Sequence, residues 1–570
     1  MRPSPPFFRF LRFAALFFLL FAIFVIFAPV IMAAEIERYG LFETSFQAKG
    51  QYANPFTDLD AEAKVLRPDS AIWTVPLFWD GGQTWKLRVS PDLPGEWSFT
   101  IRSKDAGLDG QSAFFRCAPS DRHGSIQPMA GYAHHFSRQD GTPFLFWGDT
   151  AWGLFLDDEG EELDRTAVLH YIEKRAAEGV NVIHAMLLSE AGWGNSGGAP
   201  FFDLAAARLN PAYWQEVDVR LQHLNENDII GGLVLAWGDK RRREPWAWRM
   251  FADVEMRQRY ARYIAARYGA FAVYFIIAGE WHAEIRTRED ASEAQVKREF
   301  IDIGDVLAAA DAHDRMIAIH PMIEHGSVRE FNAADWMSFA DYQQNYAHLH
   351  ERILQSRSVD KPVVNSEYGY YLRDANGDGQ VDKDNSTPDA MRFATWDILM
   401  AGGYPVTGYG TTYMGGHRDP GPFNPDDPRN DIWTRHYHIA RTLLARLHWW
   451  KLQPIDEAIS CPQPRGQDHR LEFATSTGKV KLRCPPQTTY WLLAEPGRHY
   501  LLYARGVTKE MTIDLVPSTN GYRAQLYDPR TGDLTKVDRG LEPASLRWTP
   551  PDEQDWVLWV TDRETIIKDK

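Results

Sequence analysis

The feature that most constrains this chain is a rhythm. Across residues 120–450 short apolar runs recur eight times, at 144–147, 180–188, 229–237, 273–277, 316–320, 336–339, 362–366 and 404–409, with amphipathic stretches between them. Continuous apolar runs need cover on both faces, so strands alternating with helices predict a parallel sheet with helical crossovers. The helix expected over 163–178 sets Leu169, Ile172 and Ala176 on one face. The helix over 292–310 does the same with Val296, Phe300, Ile303 and Leu307, and opens with Ser292 and Gln295 at capping-box spacing. Eight such units in roughly 330 residues fit an α/β fold of the (β/α)8 TIM-barrel type. A doubly wound open sheet is the other arrangement, but no glycine-rich phosphate-binding pattern follows any run.

On either side the period drops to two. Trp85, Leu87 and Val89 alternate with Lys86 and Arg88, and Trp97, Phe99 and Ile101 alternate with Ser98 and Thr100, around the turn Asp80-Gly81-Gly82. Alternation with glycine-rich turns predicts a half-buried antiparallel sheet, hence an N-terminal β-sandwich over 35–119. After the central domain at 120–450, strand-like runs return at 490–494, 500–504, 511–515, 522–527 and 556–560, which predicts a C-terminal β-sandwich over 451–570. Residues 1–34 carry Arg2, Arg9 and Arg12 before an apolar run broken only by Pro29. Such a segment directs export, either as a signal peptide cleaved near Ala33 or Ala34 or as a membrane anchor through residues 9–34. The expected location is periplasmic, secreted or on the outer face of the inner membrane. Three cysteines are too few for a disulfide scaffold; in an oxidising compartment Cys461 and Cys484 would pair and leave Cys117 a buried thiol.

The charge balance removes one class of partner. With 62 basic against 77 acidic residues and a net charge of −15, the chain has no basic stripe for nucleic acid. What remains is the polar chemistry that follows the apolar runs, because a barrel gathers its active site at the C-terminal ends of its strands. Run 273–277 leads into Ala278-Gly279-Glu280-Trp281-His282, and run 362–366 leads into Glu367-Tyr368-Gly369. By count these are the fourth and seventh strands, nearly opposite each other. Two carboxyls about 5 to 5.5 Å apart cleave a glycosidic bond with retention: one protonates the departing oxygen and the other meets the positive charge on the sugar carbon. A pair of ordinary strand-end salt bridges is the plainer reading of the same glutamates.

Four motifs taken together carry a family resemblance. Phe146-Trp147-Gly148-Asp149-Thr150-Ala151-Trp152, the turn at Glu280, Ala318-Ile319-His320-Pro321 and Asn365-Ser366-Glu367-Tyr368-Gly369 resemble the apiosidase-like glycoside hydrolases. The N-terminal segment, with Asn54-Pro55-Phe56 and Pro94-Gly95-Glu96-Trp97, is similar to the uncharacterised β-domain that often precedes that barrel. The C-terminal segment, with Tyr527-Asp528-Pro529-Arg530-Thr531-Gly532, is similar to a domain type named for collagen binding. The resemblance implies Glu280 as general acid/base and Glu367 as nucleophile. The family pattern often has an aspartate after two glycines where this chain has Ala278-Gly279-Glu280, and the extra methylene moves the carboxyl by about 1.5 Å. That departure bears on the substrate: apiose in plant pectin is one candidate among plant and microbial polysaccharide side chains.

Other strand-end residues suit substrate binding. Asp149, His184, His282, His320 and Gln343 would hydrogen-bond sugar hydroxyls, and Trp152, Trp237, Trp281, Tyr368 and Tyr413 would wall the pocket or stack on ring faces. Ordinary packing is the alternative for each. His282, Glu284 and His320 lack the spacing of a zinc site, and catalysis by two carboxyls requires no cofactor. Asp374, Asn376, Asp378, Gln380 and Asp382, with Gly379 at position 6, match a calcium loop, although position 12 is Asn385 rather than glutamate. A structural calcium beside the site is therefore expected, with a solvated acidic turn as the alternative. Two further readings stay open: a non-catalytic carbohydrate- or matrix-binding protein, and a protease acting on collagen, for which no nucleophile and histidine pair or zinc motif is present.

Overall fold

The computed structural model describes residues 34–159, 163–188, 194–203, 207–238, 247–322, 325–343, 348–368, 370–371, 385–386, 388–409, 426, 428–467, 469–475, 478–484, 486–537 and 544–564. The expected export segment falls outside them except for Ala34. Among the described residues no helix is long and apolar enough to cross a membrane.

Eight strands carry the middle of the chain: β1 (Gly148–Thr150), β2 (Val182–Met186), β3 (Ile230–Trp237), β4 (Val273–Gly279), β5 (Ile317–Ala318), β6 (Ala340–Gln343), β7 (Val363–Asn365) and β8 (Tyr404–Tyr409). Their order is β5-β4-β3-β2-β1-β8-β7-β6, each neighbour parallel, with a ninth short strand, His325–Gly326, antiparallel to β6. The sheet curls strongly: a single parallel bridge joins Ile317 in β5 to Met337 ahead of β6, where the Ser338 N–H donates to Ile317 O at 2.9 Å. Val182, Met186, Val234, Ile276, Ala318, Val364 and Val406 fill the concave side. Ile183, Leu233, Phe275, Ile277 and Val363 face the helices on the convex side.

Two expected strands lie elsewhere. Run 144–147 ends a small antiparallel sheet of Ile126–Pro128, Phe136–Arg138 and Pro143–Phe144, and the curled sheet begins only at Gly148. Run 336–339 likewise precedes β6. Their aromatic side chains explain the shift, because Phe136, Phe146, Tyr274, Phe339 and Tyr404 meet ring to ring with centroids 5.1–6.2 Å apart. These residues plug the end of the sheet where the strands begin, which leaves the other rim for chemistry.

The helices follow their sequence signals with one difference. α1 (Arg165–Ala177) buries Val168, Tyr171, Ile172 and Arg175 rather than the face through Leu169 and Ala176. The rotation brings the Arg175 guanidinium against Asp149 with both groups fully buried, where either charge would be costly without the other. α2 (Glu293–Ala310) matches expectation, burying Val296, Phe300, Ile303 and Leu307 behind a capping box of Ser292 and Gln295.

Both flanks are β-structured. The N-terminal domain packs a five-stranded sheet on a three-stranded one, with Trp97, Phe99, Ile101 and Phe115 facing Phe42, Trp85, Leu87 and Val89. In the C-terminal domain a six-stranded sheet packs one face on a three-stranded sheet and the other on α3 (Pro388–Met400) and α4 (Pro428–Ala445). Cys117 and Cys461 are free thiols, and the side chain of Cys484 lies outside the described residues.

Charged clusters fasten both flanks to the centre. Asp218 takes bonds from Arg88 of the N-terminal domain and from Arg267, each at 2.6 Å, while Arg267 also reaches Asp80 at 2.9 Å. On the other side Arg392 of α3 forms a fork with Asp555 at 2.8 and 2.9 Å. Such groups contribute little when paired but cost much when one partner is removed. Asp218→Asn should therefore lower the unfolding free energy by about 3 kcal/mol in urea titrations, since it removes the carboxylate that two buried guanidiniums share.

Candidate active site

Two glutamates stand just beyond the C-terminal ends of β4 and β7. β4 stops at Gly279, and Glu280 takes φ +45°, a left-handed conformation that costs a residue with a Cβ about 1–2 kcal/mol. The surroundings hold it there. A Cβ on Gly279 would lie 2.2 Å from Cε3 of Trp237, so only glycine lets that indole pack directly on the turn. Trp237 Nε1 then donates to Glu280 Oε2 at 3.3 Å, and Gln343 Nε2, at the end of β6, donates to Oε1 at 3.1 Å. Strain fixed this firmly is characteristic of functional turns.

Glu367 lies two residues past β7 and faces His320, whose Nε2 is 3.2 Å from Oε2. His320 is fully buried two residues past β5, with Nδ1 2.9 Å from Ser366 Oγ and 3.4 Å from Asp341 Oδ2. Burial alone would lower the pKa of its imidazole, but the Asp341 and Glu367 carboxylates outweigh it and raise the ring to about 10. His184 behaves oppositely: burial, with His320 nearby, pushes it down to about 3, and its Nε2 bonds the Tyr274 hydroxyl.

One aromatic floor joins the two carboxyl groups. Trp237, which holds Glu280, and His320, which holds Glu367, have ring centroids 6.0 Å apart. Trp152 completes the floor, edge-on to Trp237 at 5.2 Å and 6.0 Å from His320. Residues 132–440, more than half of the chain, match the model of the apiosidase-like catalytic domain. The chain belongs to the apiosidase-like family. Residues 35–104 match a domain of unknown function, DUF5060.

Solved structures share the fold of this apiosidase-like protein. A Bacteroides vulgatus protein assigned as a glycoside hydrolase superposes with a TM-score of 0.70 at 18% identity, over 93% of this chain and 100% of its own. A glycoside hydrolase family 5 protein from the same organism gives 0.60 at 16% identity, over 78% of this chain and 94% of its own. Another glycoside hydrolase gives 0.60 at 17% identity, over 78% and 98%. At these identities the likeness is one of fold. No curated protein matches the sequence.

The apiosidase-like site gathers Glu280, Glu367, Trp152, His184, Trp237, His320 and Gln343. Three residues expected to bind substrate turn instead into the layer between sheet and helices. Asp149 is fully buried and receives Tyr171 Oη and Arg175 Nε, both at 2.7 Å. Trp281 is buried against Phe331 and Phe300, with centroids 4.8 and 6.3 Å away. Tyr368 is buried and shares a 2.8 Å bond with Thr395 of α3. Asp149 and Tyr368 find hydrogen-bond partners on helices and Trp281 packs on rings there, so strand-end position alone misjudged their direction. His282 sits half-buried at the rim, its ring 4.3 Å from that of His325, and burial pushes its pKa down to about 3. Tyr413 and the loop Asp374, Asn376, Asp378, Gln380 and Asp382 lie outside the described residues. Among the described residues no group of three or more ligating side chains is placed to hold a metal ion.

The sequence reading missed Asp341, Ser366 and Tyr274. Asp341 had a signal, a lone acid in the apolar stretch Phe339-Ala340-Asp341-Tyr342, but it falls at a strand only once β6 is placed at Ala340–Gln343.

Two stability measurements test this geometry. Glu280→Gly should be more stable than Glu280→Ala by about 1 kcal/mol in thermal or urea unfolding, because only glycine relaxes at that φ. Glu284, buried on the turn of helix after Glu280, has its carboxyl pushed up to about 7 by burial against the pull of Arg257 and Arg288. In the unfolded chain it ionises near 4.5. The contribution of Glu284 to folding stability should thus be most favourable below that pH and fall by about 3 kcal/mol as pH rises to about 7, seen as the difference between the wild type and Glu284→Gln. Glu284→Gln should flatten that slope.

Proposed function

We propose that this protein is an exported glycoside hydrolase that cleaves O-glycosyl bonds in a polysaccharide or its side chains by a retaining double displacement. The observation that carries the reading is the pair of carboxyl groups at the ends of β4 and β7, tied through Trp237 and His320 to one floor. Membership of the apiosidase-like family and the glycoside hydrolase fold support it.

In this mechanism Glu367 attacks the anomeric carbon while Glu280 gives its proton to the departing oxygen. A glycosyl ester on Glu367 results. Glu280, now ionised, takes a proton from water, and the water oxygen displaces Glu367 to release the sugar with its configuration retained. His320 presents a positive ring to the attacking carboxylate. The single bridge between Ile317 and Met337 supports a sheet that acts as a closed (β/α)8 barrel, with the carboxyls at its mouth. The loop at 374–382 would take a structural calcium and order the chain after Glu367. Residues 1–34 would carry the protein to, or hold it at, the cell envelope, where polysaccharide is met.

Glu367→Ala should abolish sugar release from plant and bacterial polysaccharides while the unfolding transition stays in place. Glu280→Ala should lose most activity on substrates with poor leaving groups and much less on activated aryl glycosides, because only the former need its proton. Full activity in either variant removes that residue from its role, and a wild-type protein that binds these polysaccharides but releases no sugar from any of them leaves the non-catalytic carbohydrate-binding reading.

A further inference from the structure

Hydrogen-bond accounting around His320 leads to a residue outside the carboxyl pair. A neutral imidazole donates from one nitrogen only, and an imidazolium donates from both. Here Nε2 faces a carboxylate oxygen of Glu367, an acceptor. Nδ1 faces Asp341 Oδ2 and the hydroxyl oxygen of Ser366. That hydroxyl gives its own proton to Asp341 Oδ1, so it too can only accept from the ring. Both nitrogens therefore meet acceptors, and only the doubly protonated ring satisfies them. We propose that Asp341 is a positioning residue for hydrolysis: with Ser366 it fixes His320 as an imidazolium, and through that ring it aims and charge-compensates the attacking carboxylate of Glu367.

The placement of the groups makes the arrangement one-way. Asp341, His320 and Ser366 are all fully buried, so no water competes for the ring, and the carboxylate of Asp341 is held between the serine hydroxyl and the imidazole. The other titratable groups packed around the ring add no charge of their own. His184 from β2 is neutral, and it bonds Tyr274 from β4, whose hydroxyl burial keeps protonated. His282 beyond β4 is held neutral by burial and by the neighbouring His325. The positive charge on His320 thus depends chiefly on Asp341 and Glu367. Asp341 lies on the far side of the ring from Glu367 and from any sugar bound there, so it acts only through His320.

This inference rests on the reading of Glu367 as the nucleophile, but its main test does not use activity. In full-length protein with isotope-labelled histidine, the His320 ring signals, assigned by their loss in His320→Gln, should be those of an imidazolium at pH 8. A neutral ring at pH 8 overturns the proposal whether or not the protein hydrolyses anything. In Asp341→Asn the ring should lose its proton at a lower pH than in the wild type. On an activated aryl glycoside kcat/KM should then fall about tenfold at the alkaline end, where the variant's ring has lost its proton, and stay near wild type at low pH, where the ring is still an imidazolium. An equal fall at every pH would mark Asp341 as merely structural and contradict the proposal. Ser366→Ala, which keeps the carboxylate, should show the same pH-dependent loss but less of it.

Discussion

Parallel neighbours are joined by crossovers rather than tight turns, and the eight parallel strands of the curled sheet all run the same way and end on the same rim. The rest of the structure depends on that constraint. The starting ends are sealed by the aromatic cluster of Phe136, Phe146, Tyr274, Phe339 and Tyr404, and the interior between is apolar. Polar groups that face inward below the finishing rim, such as His184 and Tyr274, are buried and bond one another, so the partly exposed carboxyls stand past the strand ends. Glu280 and Glu367, some 90 residues apart in sequence, therefore share one floor as a consequence of strand direction.

The polar residues of the centre divide by what satisfies them. Asp149 with Arg175, Asp218 with Arg88 and Arg267, and Arg392 with Asp555 each pair buried charges across layers or between domains. They fix how the helices and the flanking β-domains sit on the sheet. Around the two glutamates the pattern differs, since each carboxyl leans on a ring of the floor and each residue keeps part of its surface exposed. The strained backbone at Glu280 belongs to the same division: a turn optimised for stability would carry glycine there.

Much of this was legible in the sequence. Runs of apolar residues at strand spacing marked six of the eight parallel strands, and period-two alternation marked both β-domains. The capping box at Ser292 and Gln295 and the apolar face of the helix it opens came directly from residue spacing. The failures share one cause. Apolar character does not say whether a run lies in the sheet or beneath it, so 144–147 and 336–339 were read as strands although their aromatic residues close the sheet's end. Nor does position at a strand end say which way a side chain turns. Asp149, Trp281 and Tyr368 face the helices because Arg175, Phe331 and Thr395, distant in sequence, wait for them there. Asp341 and Ser366 were missed for the converse reason, as their meaning lies in contacts with His320 that no local pattern announces.

The central claim is that Glu367 and Glu280 work on one glycosidic bond, with Glu367 forming the covalent link. Its most direct test is to incubate the protein with an activated 2-deoxy-2-fluoro glycoside of the sugar it releases, digest it, and locate the added mass by peptide sequencing in a mass spectrometer. The account predicts one equivalent of sugar esterified to Glu367. Label on another side chain, or product formed with inverted configuration and no covalent adduct, would contradict it.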